Sequence, residues 1–220
     1  MNLPDGLLPA EWLWFGHALF APVLLAAVWR APWSRLRESS MHHLFLGVCV
    51  ALMVLWSLKA GVRPGLNFHI LGTTLLMLMF GGWLAVVGIG LVLVAVTVYG
   101  MSGWETYSLN ALLMGALPAS ASWGVYRFTQ RLLPRHLFIY IFICGFFGAA
   151  AAMAATGIGS AAVLVLSGAY GLDQLLYEYL PYFLLMVFPE AILTGSFVAL
   201  LVVYRPHWVW TYDEQAYLGR

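Results

Sequence analysis

The chain has 220 residues, of which 63% are hydrophobic and only 9% charged, with a formal net charge of +1. A soluble domain carries roughly 25% charged residues, and a water-exposed surface could not be built from so few polar side chains. This excludes a soluble enzyme, a nucleic-acid binder and a disordered chain, and it predicts a polytopic membrane protein whose single domain, residues 1–220, is the helical bundle itself.

The N-terminal segment, residues 1–10, is short and polar-poor, and no basic residue precedes the first apolar run. A cleavable signal needs a positive start, so none is expected, and the bulk of Asn2 is expected to leave Met1 in place. Pro4 and Gly6 would bend this segment back into the bundle. Its free amine is a candidate ligand or hydrogen-bond donor, with Asp5 beside it.

A spanning helix needs about 20 apolar residues, and the charge-free stretches set the expected spans. They are 12–29, 39–58, 68–80, 83–100, 106–126, 136–172 and 179–204, with Gly81-Gly82 dividing the long run from Pro64 to Trp104. Residues 136–172 exceed one untilted span, so a single span with a trailing interfacial stretch competes with two spans split at Thr156–Gly159. Cationic loops collect on the cytoplasmic side. With about seven spans, an outside N-terminus and an inside C-terminus, Arg30, Arg35, Arg37, Arg127, Arg131, Arg135, Arg205 and Arg220 fall inside, against Lys59 and Arg63 outside. That arrangement is preferred, with residues 205–220 as a cytoplasmic tail. Trp12, Trp14, Trp29, Trp83, Trp104 and Trp123 sit near span ends, where indole favours the headgroup level. Gly145, Gly148 and the alanines from 149 to 155 offer a small-residue face for close helix packing. Cys49 and Cys144 lie in apolar runs and read as buried thiols.

Few residues in these spans can carry chemistry. Glu190 is a carboxylate near the centre of the last span, where a charge costs roughly 2.5–3.5 kcal/mol. It either lines a site, anchors the N-terminal segment, or bonds a neighbouring helix as a neutral carboxyl. Thr194 lies on the same helix face. His69, after Asn67 and Phe68, is a candidate transition-metal ligand or a hydrogen-bonded structural histidine. The same ambiguity holds for His17. Asn110 either faces a cavity or bonds between helices, the latter being the more common role of such a residue. The chain has no Gly-x-x-x-x-Gly-Lys-Ser/Thr loop, no His-Glu-x-x-His and no Cys-x-x-Cys, so it cannot hydrolyse ATP by P-loop chemistry and is not expected to be an enzyme.

Taken in order, these pieces resemble the cobalt/nickel substrate-binding membrane subunit of energy-coupling-factor transporters, the CbiM/NikM-like family. Met1-Asn2-Leu3-Pro4-Asp5-Gly6-Leu7-Leu8 resembles that family's start, Met-His-Ile-Pro-Asp-Gly-Phe-Leu. Gly65 to Gly72 is similar to its Gly-x-x-x-His-Leu-Leu-Gly motif, and Phe80-Gly81-Gly82-Trp83 to its Gly-Pro-Trp turn. Leu109-Asn110 with Met114-Gly115, Glu190 to Thr194, and Tyr204-Arg205-Pro206 resemble its Gly-x-Asn-x-x-x-Met-Gly, Glu-Gly-x-x-Thr and Arg-Pro segments. The resemblance covers nearly the whole chain.

It implies a bundle of about seven helices with the N-terminus folded into the core, in a bacterial cytoplasmic (inner) membrane. It also implies uptake of a divalent transition metal ion, nickel- or cobalt-like, energised by a separate transmembrane coupling subunit and cytoplasmic ATPases, with no permanent cofactor. The family binds its ion through the terminal amine, the second residue and the motif histidine, which carries over to Met1, Asn2 and His69. Asn2 departs from the family's histidine and leaves that donor set incomplete. Asp5, His17, Asn67, Met77, Asn110, Glu190 and Thr194 are the additional candidates to complete or support it, with Met79 beside Met77. Two other functions remain open on the sequence: a stand-alone ion or small-molecule permease using Glu190, and a non-transporting assembly protein on the same fold.

Overall fold

A computed structural model describes residues 1–218. Arg220, assigned to the inner tail, lies outside the described residues. The helices are α1 (Ala10–Arg30), α2 (Ser39–Ser57), α3 (Thr73–Phe80), α4 (Gly82–Val98), α5 (107–132), α6 (Leu137–Leu166), α7 (Leu172–Glu178), α8 (Leu180–Tyr204) and α9 (Glu214–Leu218). A hairpin of β1 (Ala60–Arg63) and β2 (Leu66–Phe68) joins α2 to α3.

Four of these helices, α1, α2, α6 and α8, are long and apolar enough to cross a membrane. Their outward faces carry Trp29, Leu25, Phe147 and Leu184, all strongly exposed. Helices that are apolar all round are stable only where something other than water meets that surface. In α1, Glu11 in the first turn and Arg30 in the last complement the helix dipole.

The segment expected as a third span, 68–80, differs most. Only Thr73–Phe80 is helical, and eight residues reach about 12 Å, less than half of a roughly 30 Å hydrocarbon core. Nearly all of its side chains are buried, so α3 is an internal helix. Pro64-Gly65 supplies the turn of the hairpin before it, with Gly65 at φ +78°. The division at Gly81 holds. This residue sits at φ 90°, ψ 161°, a region open essentially to glycine.

Helix α5 carries a wide turn at Leu112–Ala116, just ahead of Pro118. Pro118 has no N–H to give to the carbonyl four residues back, on Met114, or five back, on Leu113. Both carbonyls find hydroxyls on other helices. Thr73 Oγ1 donates to Met114 O at 2.8 Å and Thr156 Oγ1 to Leu113 O at 3.0 Å. The broken ladder of α5 thereby ties α3 and α6 to it.

Within residues 136–172 one continuous helix, α6, runs from Leu137 to Leu166 without a break at Thr156–Gly159. Its buried face runs through Gly148, Ala149, Ala152, Thr156, Gly157 and Ser160. Gly157 lies against Phe183 and Gly145 against Gly195, so α6 and α8 approach closely along small residues.

The expected tail, 205–220, is not a free one up to residue 218. After the turn at Pro206–Trp208 it runs beneath α3. Trp210 N–H donates to Met79 O at 3.1 Å and Thr211 N–H to Leu78 O at 3.2 Å. Thr211 Oγ1 also reaches Leu78 O at 2.9 Å and Tyr140 Oη at 2.6 Å. The glycine break strands the last carbonyls of α3, and this segment satisfies them. Thr211→Val removes the hydroxyl from a buried position while keeping its shape. We expect it to cost about 1–2 kcal/mol, read as a lower melting temperature in detergent.

Candidate functional site

The first three residues run extended into the bundle and are fully buried or nearly so. Buried backbone must find partners, and two asparagines supply them. Asn110, on α5, accepts from Leu3 N–H at 2.8 Å and donates Nδ2 to Leu3 O at 2.9 Å. Its carboxamide thus pairs with Leu3 as a neighbouring strand would. Thr106 Oγ1 adds a bond to Leu3 O at 2.6 Å.

Asn67 does the same one step earlier. Its Oδ1 accepts from Asn2 N–H at 3.0 Å and from the Met1 amine at 3.0 Å, and its Nδ2 donates to Asn2 O at 3.0 Å. The amine also meets the carbonyls of Gly65 at 3.1 Å and Asn67 at 2.5 Å. Asn67 and His69 are two residues apart in extended chain, so both side chains project to the same side.

His69 is 2% exposed. Its Nδ1 lies 3.0 Å from Ile70 O and its Nε2 lies 3.1 Å from Asn2 Oδ1. The ring packs on Trp56, centroids 4.7 Å apart, and Trp56 Nε1 donates to Leu71 O at 3.1 Å. Burial pushes the imidazole down to about 3, against the Ile70 carbonyl, so at neutral pH it is a neutral ring with one free lone pair. Burial, and after it the Lys59 charge, pushes the terminal amine down to about 4. The three oxygens around the amine oppose that trend, since they favour its protonated form.

Glu190 stands behind His69. Its Oε2 accepts from Leu71 N–H at 2.7 Å and its Oε1 from Gly72 N–H at 3.0 Å, with Thr194 Oγ1 at 3.4 Å. Gly72 is the left-handed residue that opens α3. The carboxylate therefore caps an internal helix and fixes the chain two residues after His69. It touches neither Met1 nor Asn2 by hydrogen bond.

Asp5 turns away from the amine. Its carboxylate accepts from the N–H groups of Trp104, Glu105 and Thr106 at 3.0, 2.9 and 3.3 Å, at the start of α5. A side chain at Gly103 would collide with it. His17 pairs with Ser108 Oγ at 2.7 Å. Met77 is wholly buried in α3, with Met79 on the same helix.

The candidates therefore separate. Met1, Asn2, Asn67 and His69 converge. Asn110 and Asp5 hold the segment that carries Met1 and Asn2, while Glu190 and Thr194 hold the turn that follows His69. Nothing bonds His17 to this group. Lys59, Trp56 and Thr106 belong to the site's surroundings and were not among the expected residues. Thr106 reads in sequence only as the edge of a span.

Above Asn67 a cavity of about 360 Å³ opens, lined also by Lys59, Gly61, Arg63 and Pro64. Three contacts fix its rim. Arg63 Nε pairs with Glu178 at 2.7 Å, Lys59 Nζ donates to Met101 O at 2.6 Å, and Tyr170 Oη donates to Pro64 O at 2.8 Å. Among the described residues no three His, Cys, Asp or Glu side chains gather where they could hold an ion. Any metal at this place must take donors from the terminal amine, carboxamides and His69.

The model of one family, described as the cobalt uptake substrate-specific transmembrane region (CbiM), matches residues 2–208. No curated protein matches the chain. Among solved structures, one described as a transition metal transporter is 22% identical, with a TM-score of 0.74, covering 94% of this chain and 96% of its own. A second, described as a truncated transition metal transporter, is 21% identical with a TM-score of 0.71, over 93% and 97% of the two chains. At these identities the likeness is one of fold.

Proposed function

Because this chain belongs to the CbiM family of cobalt uptake substrate-specific transmembrane regions, we propose that it is the membrane-embedded subunit that captures a divalent transition metal ion for uptake. The observation that carries this reading is the convergence of a buried terminal amine, the Asn2 carboxamide and a neutral imidazole beneath an open cavity. An amine and an imidazole nitrogen, with a carboxamide oxygen beside them, suit late first-row ions.

In this reading the chain passes the membrane about seven times, the third passage being made by the stretch from β2 through α3 instead of by one long helix, with its N-terminus outside and its C-terminus inside. The ion enters past Lys59 and Arg63. Met1, Asn2 and His69 hold it. Asn67, Asn110, Thr106 and Asp5 position the first two of these, and Glu190 with Thr194 positions the third. Energy comes from a transmembrane coupling subunit and cytoplasmic ATPases, since the chain carries no nucleotide-binding loop.

Uptake of radioactive cobalt into vesicles tests this. Accumulation should require ATP and the partner subunits, and should stop with His69→Ala at unchanged protein level. Accumulation by the chain alone, sensitive to Glu190 and indifferent to His69, would instead mark a stand-alone permease.

A further inference from the structure

A groove of about 500 Å³ opens between α5 and α6. Gly124, Val125 and Phe128 line one side, and Ile143 and Phe147 the other. Gly124 makes part of the room, since a side chain there would meet nothing within 4 Å. Helix α6 makes the rest. It is wound wide over Tyr140–Phe147, so its side chains depart there from ordinary helical spacing. One residue later the helices close again, with Gly148 against Val125. Phe128 and Phe147 stand at the edges of the groove, 54% and 61% exposed.

Hydrocarbon covers any apolar face of a membrane protein without preference. The far end of this groove supplies one. Gly124, Phe128 and Arg131 are spaced four and three apart, so they share a face of α5, and Arg127 lies one turn from Gly124. Arg135 follows in the loop to α6. All three arginines are exposed, and among the described residues none pairs with a carboxylate. Other arginines are committed. Arg30, Arg35 and Arg205 lie over the rings of Trp83, Trp210 and Trp208, and Arg63 is paired with Glu178.

Three free guanidinium groups at the mouth of an apolar groove match a phosphate joined to a hydrocarbon chain. Guanidinium holds phosphate oxygens by paired, charge-assisted hydrogen bonds. Basic pockets between helices at the cytoplasmic face hold anionic headgroups in this way. The size of the groove favours a lipid over a partner's helix. Residues 124–128 cover only about 6 Å of rise, whereas a spanning helix would need a matching surface along about 30 Å. A length of 6 Å suits the upper part of one acyl chain, next to its headgroup.

We infer that the α5–α6 groove is a binding site for an anionic glycerophospholipid. One acyl chain lies between Gly124 and Phe147, and the phosphate is held by Arg127, Arg131 and Arg135. With the N-terminus outside, these arginines face the inner leaflet, whose anionic lipids are the occupants. The site is independent of the ion that the chain carries.

The test uses the full chain in detergent, supplied with phosphatidylglycerol or with phosphatidylcholine of the same acyl chains and followed by native mass spectrometry. One phosphatidylglycerol should be held about tenfold or more tightly than phosphatidylcholine. Replacing all three arginines, Arg127→Gln, Arg131→Gln and Arg135→Gln, should bring it to the phosphatidylcholine level. Gly124→Leu fills the groove and leaves the arginines in place, and should also lose the tightly held lipid. The arginine variant decides the question if Gly124→Leu fails to fold, because its three positions are on the surface. Equal retention of both lipids by the unmodified chain would overturn the inference. So would tight phosphatidylglycerol binding that survives Gly124→Leu, which would mark a charged surface without a groove. In native membranes a photoreactive phenylalanine in place of Phe128 should crosslink to lipid. Crosslinking to another protein instead would make the groove a subunit interface and overturn the lipid reading.

Discussion

His69→Ala is expected to lower Co²⁺ affinity by about 100-fold or more, roughly 2.7 kcal/mol. His69 offers the imidazole lone pair that faces Asn2, and imidazole is the strongest neutral donor a side chain brings to a late transition metal. The remaining candidates, an amine surrounded by three oxygens and a carboxamide, hold an ion far less well. Some stability is lost as well, because the ring packs on Trp56 and bonds Ile70. Isothermal titration and thermal melting on one preparation separate the two effects. His69→Gln is the companion variant, since it keeps polar bulk against Trp56 while removing the imidazole. It should melt closer to the parent and still bind poorly.

Glu190→Gln is expected to destabilise the fold by about 2–3 kcal/mol and to weaken Co²⁺ binding about tenfold. The two oxygens of Glu190 serve two adjacent N–H groups, Leu71 and Gly72. Glutamine has one oxygen, so its amide nitrogen would face a backbone donor in a buried place. The 71–72 turn would then shift, and with it His69 two residues earlier. Thermal melting reads the first effect and titration with Co²⁺ the second. A proton-carrying role makes the opposite forecast. Equilibrium binding would survive the substitution, and uptake would lose its pH dependence.

Much of this arrangement is legible in the sequence. Gly81-Gly82 marks the helix break because that backbone conformation tolerates little else. Asn110 announces a buried hydrogen bond because no uncharged polar amide sits in an apolar helix without a partner. His69 and Met1 are found through the ordered motifs. The third expected span was misread as one helix because absence of charge does not separate a spanning helix from a hairpin followed by a short internal helix. Hydropathy is the same, and only Pro64-Gly65 carries the turn signal. Asp5 was one of the candidates to complete or support the site, and sequence could not say which, because its partners are backbone groups about a hundred residues away. Glu190 left three readings open for the same reason. Its partners are N–H groups, which leave no mark on composition. The segment under α3 was read as a tail because Trp210 and Thr211 gain their meaning from carbonyls that the glycine break exposes.

In the proposed function an ion is held by the buried amine together with His69. Elemental analysis of the purified chain with its native N-terminus and a C-terminal tag tests it most directly, beside the same chain with two residues added ahead of Met1. Near-stoichiometric divalent transition metal is expected in the first, and its loss in the second, because Gly65 and Asn67 close around the amine. Equal metal in both forms, or none in either after loading with Co²⁺, would contradict it.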